Sequence, residues 1–347
     1  MNDLPAARGA LLALSAAILF GASTPLVQRA GVGVGSWMTA ALLYAGAAGA
    51  GLFLRTPSGR EAPVQPRHWP TLLLVTTLGA VLGPVALAWG LQHTSGTSAS
   101  LMLTLEAVFT ALLSFVLYRE QISRRLALAM TLLTFGGALL VLDRADAGTT
   151  QVVGALAVVG ATVAWGADNA LSRMLADLDP GRVVLGKASI GAAASLIIAI
   201  FAGQAPPSLA AGFALFVIGA FGYGLSLRFY LLAQRAFGAM RTGSVFAAAP
   251  FVGAAVAFGL GERAFGPWLI GGAGLIAIGV ALHLAERHEH AHEHALLEHE
   301  HAHTHDDGHH GHVHDEPVVG THSHWHVHEP TLHSHPHTPD LHHDHVH

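Results

Sequence analysis

The sequence predicts an all-α integral membrane protein, with ten transmembrane helices in two inverted five-helix repeats followed by a disordered histidine-rich tail. Composition is the first observation behind this: 52% of the 347 residues are apolar and only 11% are charged, against about 25% charged in a soluble globular protein. The second is a series of apolar windows, each long enough to cross a bilayer as a helix, at residues 10–28, 34–54, 70–91, 97–118, 126–142, 153–173, 183–203, 209–231, 241–260 and 266–285. The third is an internal echo. Gln92, Gly96, Phe109, Glu120 and Gly137 match Gln234, Gly238, Phe251, Glu262 and Gly279 at a single offset of 142 residues.

The N-terminal run, MNDLPAARGA followed by LLALSAAILFGASTPL, has the arginine and apolar stretch of a signal peptide. More spans of the same kind follow it, so it reads as the first span. Short connections with turn residues, such as RTPSGREAPVQPRHWP, DLDPGR and GQAPPS, separate the windows. Small residues within the spans, as in GAAGAGLF (46–53) and GGAGLIAIG (271–279), suit close helix packing. The first and sixth spans also match, at an offset of 145: Ala16, Gly21, Ala22 and Leu26 fall on Ala161, Gly166, Ala167 and Leu171, with Phe20 opposite Trp165. An odd number of helices per copy turns the second copy upside down, an arrangement that secondary transporters build around a midplane site. The resulting units are a first repeat at 8–142, a second at 153–285 and a tail at 288–347, which holds 23 of the 26 histidines.

Basic residues set the orientation. With the N-terminus in the cytoplasm, the inside segments hold Arg8, Arg55, Arg60, Arg67, Arg119, Arg124, Arg125, Arg173, Arg182, Lys187, Arg235, Arg241 and Arg287. The outside segments hold only Arg29, Arg144 and Arg263, and Arg228 lies within a span. This predicts a multi-pass protein of the cytoplasmic membrane with both termini inside. There is no cysteine, which excludes disulfides and thiolate metal sites. No P-loop is present, and the basic residues follow the membrane rule instead of forming a nucleic-acid patch.

FGASTPL near the start, LQHTSGTSASLMLTLEAVFTALLSFVLYRE closing the fourth span and AAAPFVGAAVAFGLGE closing the ninth resemble the EamA-type transporters of the drug/metabolite transporter superfamily. The resemblance covers about residues 8 to 285. It implies a central substrate cavity between the repeats, lined largely by the third, fourth, eighth and ninth helices, and cargo among amino acids, metabolites, drugs or nucleotide conjugates. The family often has proline just after the acidic position of the fourth helix. This chain has Ala107 there, which removes the usual cause of a helix break at Glu106. The tail lies outside the family pattern.

Few ionisable groups fall within the spans: Glu106, Asp168, Arg228 and His283. A charge at a helix centre costs about 2.5–3.5 kcal/mol on insertion scales, so such groups face a cavity or a partner. Glu106 reads either as a proton or cation acceptor that couples transport, or as a permanently paired structural carboxylate. Arg228 is the natural counter-ion or a fork for an anionic substrate group, with snorkelling to the interface as the alternative. Trp165, Asp168 and Asn169 share about one helical turn and match Phe20, Ser23 and Thr24 across the repeat. They suit substrate binding or interhelical hydrogen bonding, and packing is favoured for Ser23 and Thr24. Gln92, Gln234, Glu120 and Glu262 lie near span ends, where capping and interfacial bonding are expected. Trp89 and Tyr230 suit substrate stacking or interfacial anchoring.

The tail has almost no apolar content and cannot bury a core, so it is expected to be disordered apart from a helical continuation through about Glu300. In an extended segment alternate residues share a side, which would gather His322, His324, His326 and His328. On a helix the pairs would be His288 with His292 and His290 with His294. Imidazoles among carboxylates, without sulfur, suit zinc, nickel or cobalt. The sequence therefore points to a secondary transporter, not an enzyme, that exports a small polar metabolite or drug without a required cofactor and carries a metal-binding regulatory tail. Efflux of a divalent metal and a membrane metal sensor are the alternatives. The implied partners are the lipid bilayer, a small-molecule substrate and divalent metal ions, and a homodimer is left open.

Overall fold

The computed structural model describes residues 4–53, 62–119, 122–145, 148–175, 178–237, 239–263, 266–284, 289–293, 297–303, 322–328 and 332–336. The first repeat consists of α1 (Leu4–Ala30), α2 (Ser36–Phe53), α3 (Trp69–Thr76), α4 (Gly83–Leu91), α5 (Gly96–Met102), α6 (Leu105–Tyr118) and α7 (Arg124–Ala145). The second consists of α8 (Thr149–Ser172), α9 (Pro180–Phe201), α10 (Leu209–Ile218), α11 (Ser226–Phe237), α12 (Ala239–Phe246), α13 (Ala249–Gly259) and α14 (Pro267–Leu284). Among the described residues nine helical segments are long and apolar enough to cross a membrane. The expected ninth window, 241–260, is divided between α12 and the shorter apolar α13.

Packing follows the duplication. In span numbers, α4 against α8 joins the third span to the sixth, and α11 against α1 joins the eighth to the first. Likewise α6 packs on α8 as α13 packs on α1. Exchanging the two repeats turns each of these contacts into the other. Two further large contacts, α7 with α14 and α2 with α9, map onto themselves and so lie on the pseudo-twofold axis. The two inverted repeats expected from the sequence are thus the architecture observed.

Four interruptions also come in repeat-related pairs. The third and eighth spans each contain a π-helical turn, Thr77–Leu82 and Gly219–Leu225, which begin at positions related by the same offset of 142. The fourth and ninth spans are broken between α5 and α6 and between α12 and α13. In the ninth, Pro250 sits in the first turn of α13, where its missing N–H costs nothing. In the fourth, the break forms despite Ala107. Thr104 Oγ1 donates to the Leu101 carbonyl at 2.7 Å, and the N–H groups of Glu106 and Ala107 bond three residues back, to Leu103 and Thr104. A hydroxyl competing for a backbone carbonyl and a tight 3₁₀-type turn do here what proline does elsewhere.

The helical continuation expected through about Glu300 is not what the described tail residues form. The last membrane helix ends at Leu284, and the described tail residues are extended: β1 (Glu289–Glu293) pairs antiparallel with β4 (Leu332–Pro336), and β2 (Leu297–His303) with β3 (His322–His328). His-x-His is a period-2 pattern, and strands have that period; there is no apolar stripe to hold a helix. The expected helical pairs fall only partly within the described residues. His290 and His292 lie in β1, while His288 and His294 lie outside the described residues.

At the α7–α14 crossing Gly136 and Gly272 meet backbone to backbone, each occupying the space that a Cβ on the other would need. Gly136→Ala should lower the thermal unfolding midpoint in detergent by an overpacking cost of about 1–3 kcal/mol. Gly274→Ala, which faces open space, should leave the midpoint unchanged.

Candidate functional site

The site begins with Pro84. In a π-turn the carbonyl of residue i takes the N–H of residue i+5, and the Gly83 N–H accordingly goes to the Leu78 carbonyl. The next carbonyl, that of Gly79, would need an N–H from residue 84, and proline has none. A carbonyl without a partner in hydrocarbon costs several kcal/mol. Two side chains supply the missing donors: the Tyr44 hydroxyl at 2.6 Å from α2 and the Trp165 indole N–H at 2.9 Å from α8.

Anchoring Trp165 places the next turn of α8. The Asp168 carboxylate occupies the space that a Cβ on Gly79 would fill. It is buried, and it is held by Lys187 Nζ from α9 at 2.5 and 2.7 Å and by the Ser172 hydroxyl at 3.0 Å. Its neighbour Asn169 instead donates its side-chain amide to Glu106 Oε1 at 2.6 Å. Glu106 stands in the first turn of α6, immediately after the break in the fourth span. The Glu106 and Asp168 carboxylates and the Tyr44 hydroxyl lie within electrostatic range of one another.

The structure therefore gathers Glu106, Asp168, Asn169 and Trp165 in one place. It does not bring Arg228 to Glu106: no hydrogen bond or ion pair joins them, and the polar partner of Glu106 is Asn169. Trp89 stacks on His93 with centroids 4.1 Å apart and lines a separate apolar groove of about 610 Å³ with Trp37, Leu82 and Val85. Tyr230 packs edge-on against Phe246 at 5.0 Å, and the rings continue through Phe20 and Tyr223 to Tyr44. This aromatic wall ends at the Gly79 carbonyl. Sequence reasoning missed Lys187, Tyr44, Gly79 and Ser172. A signal existed for Lys187, a lone cation inside the apolar window 183–203, but the charge count assigned it to the cytoplasmic segment.

The chain matches the EamA-like transporter family over residues 7–142 and 152–285, the two five-helix repeats just described. It belongs to that family. An uncharacterized transporter of Methanothermobacter thermautotrophicus is 30% identical over 209 residues, covering 57% of this chain. The chain spans 59% of the length of that curated relative. A solved crystal structure shares the fold with a TM-score of 0.55 at 20% identity, over 79% of this chain and 95% of its own. The protein is thus a multi-pass membrane member of the EamA-like transporter family, with the charged cluster at the junction of its two repeats.

Breaking the Asp168–Lys187 pair should cost stability, since it leaves a charge buried without its partner. Lys187→Ala should destabilise the protein by about 3–5 kcal/mol, while Lys187→Met combined with Asp168→Asn should recover much of that. Thermal unfolding of the purified variants checks it.

Proposed function

We propose that this transporter is a secondary active exporter of a small polar metabolite or drug, working by alternating access, with Glu106 as the group that accepts a proton or cation. One contrast supports this reading. Asp168 is tied to a lysine ammonium, whereas the hydrogen-bond partner of Glu106 is a neutral amide. A carboxylate held by an amide can exchange that bond for a proton, a cation or a substrate donor without stranding a counter-charge. Glu106 also sits beside a helix break, as binding residues do in discontinuous transporter helices. Asn169 would release or hold it, and Trp165 and Tyr44 would keep the turn of α8 in place. Tyr230, at the far end of the aromatic wall, and Arg228, two residues before it on α11, remain candidates for a second substrate contact; Trp89 stacks on His93 instead.

The test is a screen of small polar metabolites in inverted membrane vesicles, with and without an imposed pH gradient. The unaltered chain should accumulate at least one class in a gradient-dependent way, and Glu106→Gln should remove that dependence. Gradient-driven accumulation that survives Glu106→Gln would overturn the coupling role.

For the tail, we infer a regulatory site for divalent zinc, nickel or cobalt. The strand register supports it: His299, His301 and His303 lie opposite His326, His324 and His322, and His290 and His292 opposite His335 and His333. The register thus sets histidine positions of facing strands opposite one another, beyond the single-strand set His322, His324, His326 and His328. Metal efflux through the membrane is the weaker reading, because among the described residues no three His, Asp or Glu converge. Calorimetric titration of the full chain with Ni²⁺ should show binding that falls by half or more when His299, His301 and His303 are replaced by Asn. Unchanged binding would leave β3 alone as the site.

A further inference from the structure

We propose that Glu262 is a positioning residue that latches one mouth of the transport path, joining the second repeat to the first when that mouth is closed; the inference rests on the alternating-access reading above. Glu262 follows α13 at the end of the ninth span, after Gly261, whose φ of +111° turns the chain back toward α5. Its carboxylate accepts from the Gly96 N–H at 2.7 Å, the Thr97 N–H at 2.9 Å and the Thr97 hydroxyl at 2.7 Å. All three donors belong to the first turn of α5. The capping expected of a span-end glutamate is therefore made across the repeat boundary.

Two features make this contact a device and not merely a cap. The helices it joins, α5 and α13, are separated by the span breaks from α6 and α12, so this pair can tilt without carrying Glu106 along. Beneath the carboxylate the path is shut by close contact: the side of Gly253 is filled by Ser100 Oγ and the Gly21 carbonyl, and Gly21 lies against the Ala249 backbone. Ser100 is 1% exposed. Neighbouring bonds at the same end tie the first repeat to itself, Gln28 to the Leu91 and Thr94 carbonyls and Gln92 to the Val34 carbonyl. Across the boundary, Arg29 donates to the Leu260 carbonyl. Glu262 adds the charged acceptor there, and charge-assisted bonds are about twice as strong as neutral ones. Opening this mouth requires α5 and α13 to part, and that requires these three bonds to break. The distribution of basic residues assigns this end to the outside.

The chain has no cysteine, so Ser100→Cys provides a single reporter thiol beneath the latch. With a membrane-impermeant maleimide applied to whole cells and, separately, to inverted vesicles, this thiol should label slowly in the otherwise unaltered chain. Adding Glu262→Ala should speed labelling from one face by at least about tenfold; Glu262→Gln and Thr97→Val should each give a smaller rise, and they serve if Glu262→Ala fails to fold. Labelling unchanged from both faces in folded Glu262→Ala, or in Glu262→Gln and Thr97→Val, would overturn the latch. Acceleration by Glu262→Ala in a chain that shows no gradient-driven transport would uphold the latch and count against the transport reading alone.

Discussion

A backbone carbonyl inside a bilayer has no water to turn to, and the centre of this protein is arranged around one such group. Pro84 deprives the Gly79 carbonyl of its π-turn donor, so Tyr44 and Trp165 must reach it from two other helices. Once Trp165 is held, Asp168 and Asn169 follow one turn later on α8, and their directions are set. The second repeat makes the corresponding case without the proline. There Ser226 stands for Pro84 and keeps its N–H, which goes to the Phe221 carbonyl, the counterpart of that of Gly79. That carbonyl therefore has its backbone donor and needs no indole. Accordingly Phe20, which has no N–H to give, occupies the place of Trp165. The difference between the two aromatics follows from a single missing hydrogen.

Much of the fold was legible because the bilayer makes strong demands on a sequence. Each window had to be long and apolar, and the duplication preserved enough of Gln92, Gly96, Phe109 and Glu120 to be recognised from residue identity alone. The interruptions were harder. A break marked by Pro250 is visible, but one made by a threonine hydroxyl turning on its own backbone is not, since threonine in membrane helices more often leaves them unbroken. Ala107 was therefore a poor guide to the fourth span.

The charged cluster was half legible. Glu106, Asp168 and Asn169 announced themselves as polar groups in apolar windows, but their partners depend on how α8, α9 and α6 cross, which periodicity along one helix does not contain. Arg228 was the obvious cation for Glu106 by span number, yet Lys187 is the cation that enters the cluster, and it binds the other carboxylate. The helical continuation of the tail was misread for a different reason. Low apolar content argues against a packed core, but strand pairing is a backbone interaction, and the two-residue period of the histidines is compatible with it.

The two halves of the protein share a scaffold and differ in chemistry where they meet. Ala248 stands at the repeat position of Glu106, Ser23 at that of Asp168 and Phe20 at that of Trp165. One side of the junction thus carries two carboxylates, an amide and an ammonium, while the other presents the rings of Phe20, Tyr223, Phe246 and Tyr230. Within the charged side there is a second division. The Asp168 carboxylate is paired with Lys187 and packed against Gly79. Among the described residues the Glu106 carboxylate is bonded by the Asn169 amide, and it stands just after a helix break. Under the alternating-access proposal a rigid frame and one group able to change partners are both needed, and the geometry offers a different carboxylate for each. In the proposed reading Asp168 would fix the frame, and Glu106 would be the group that changes partners.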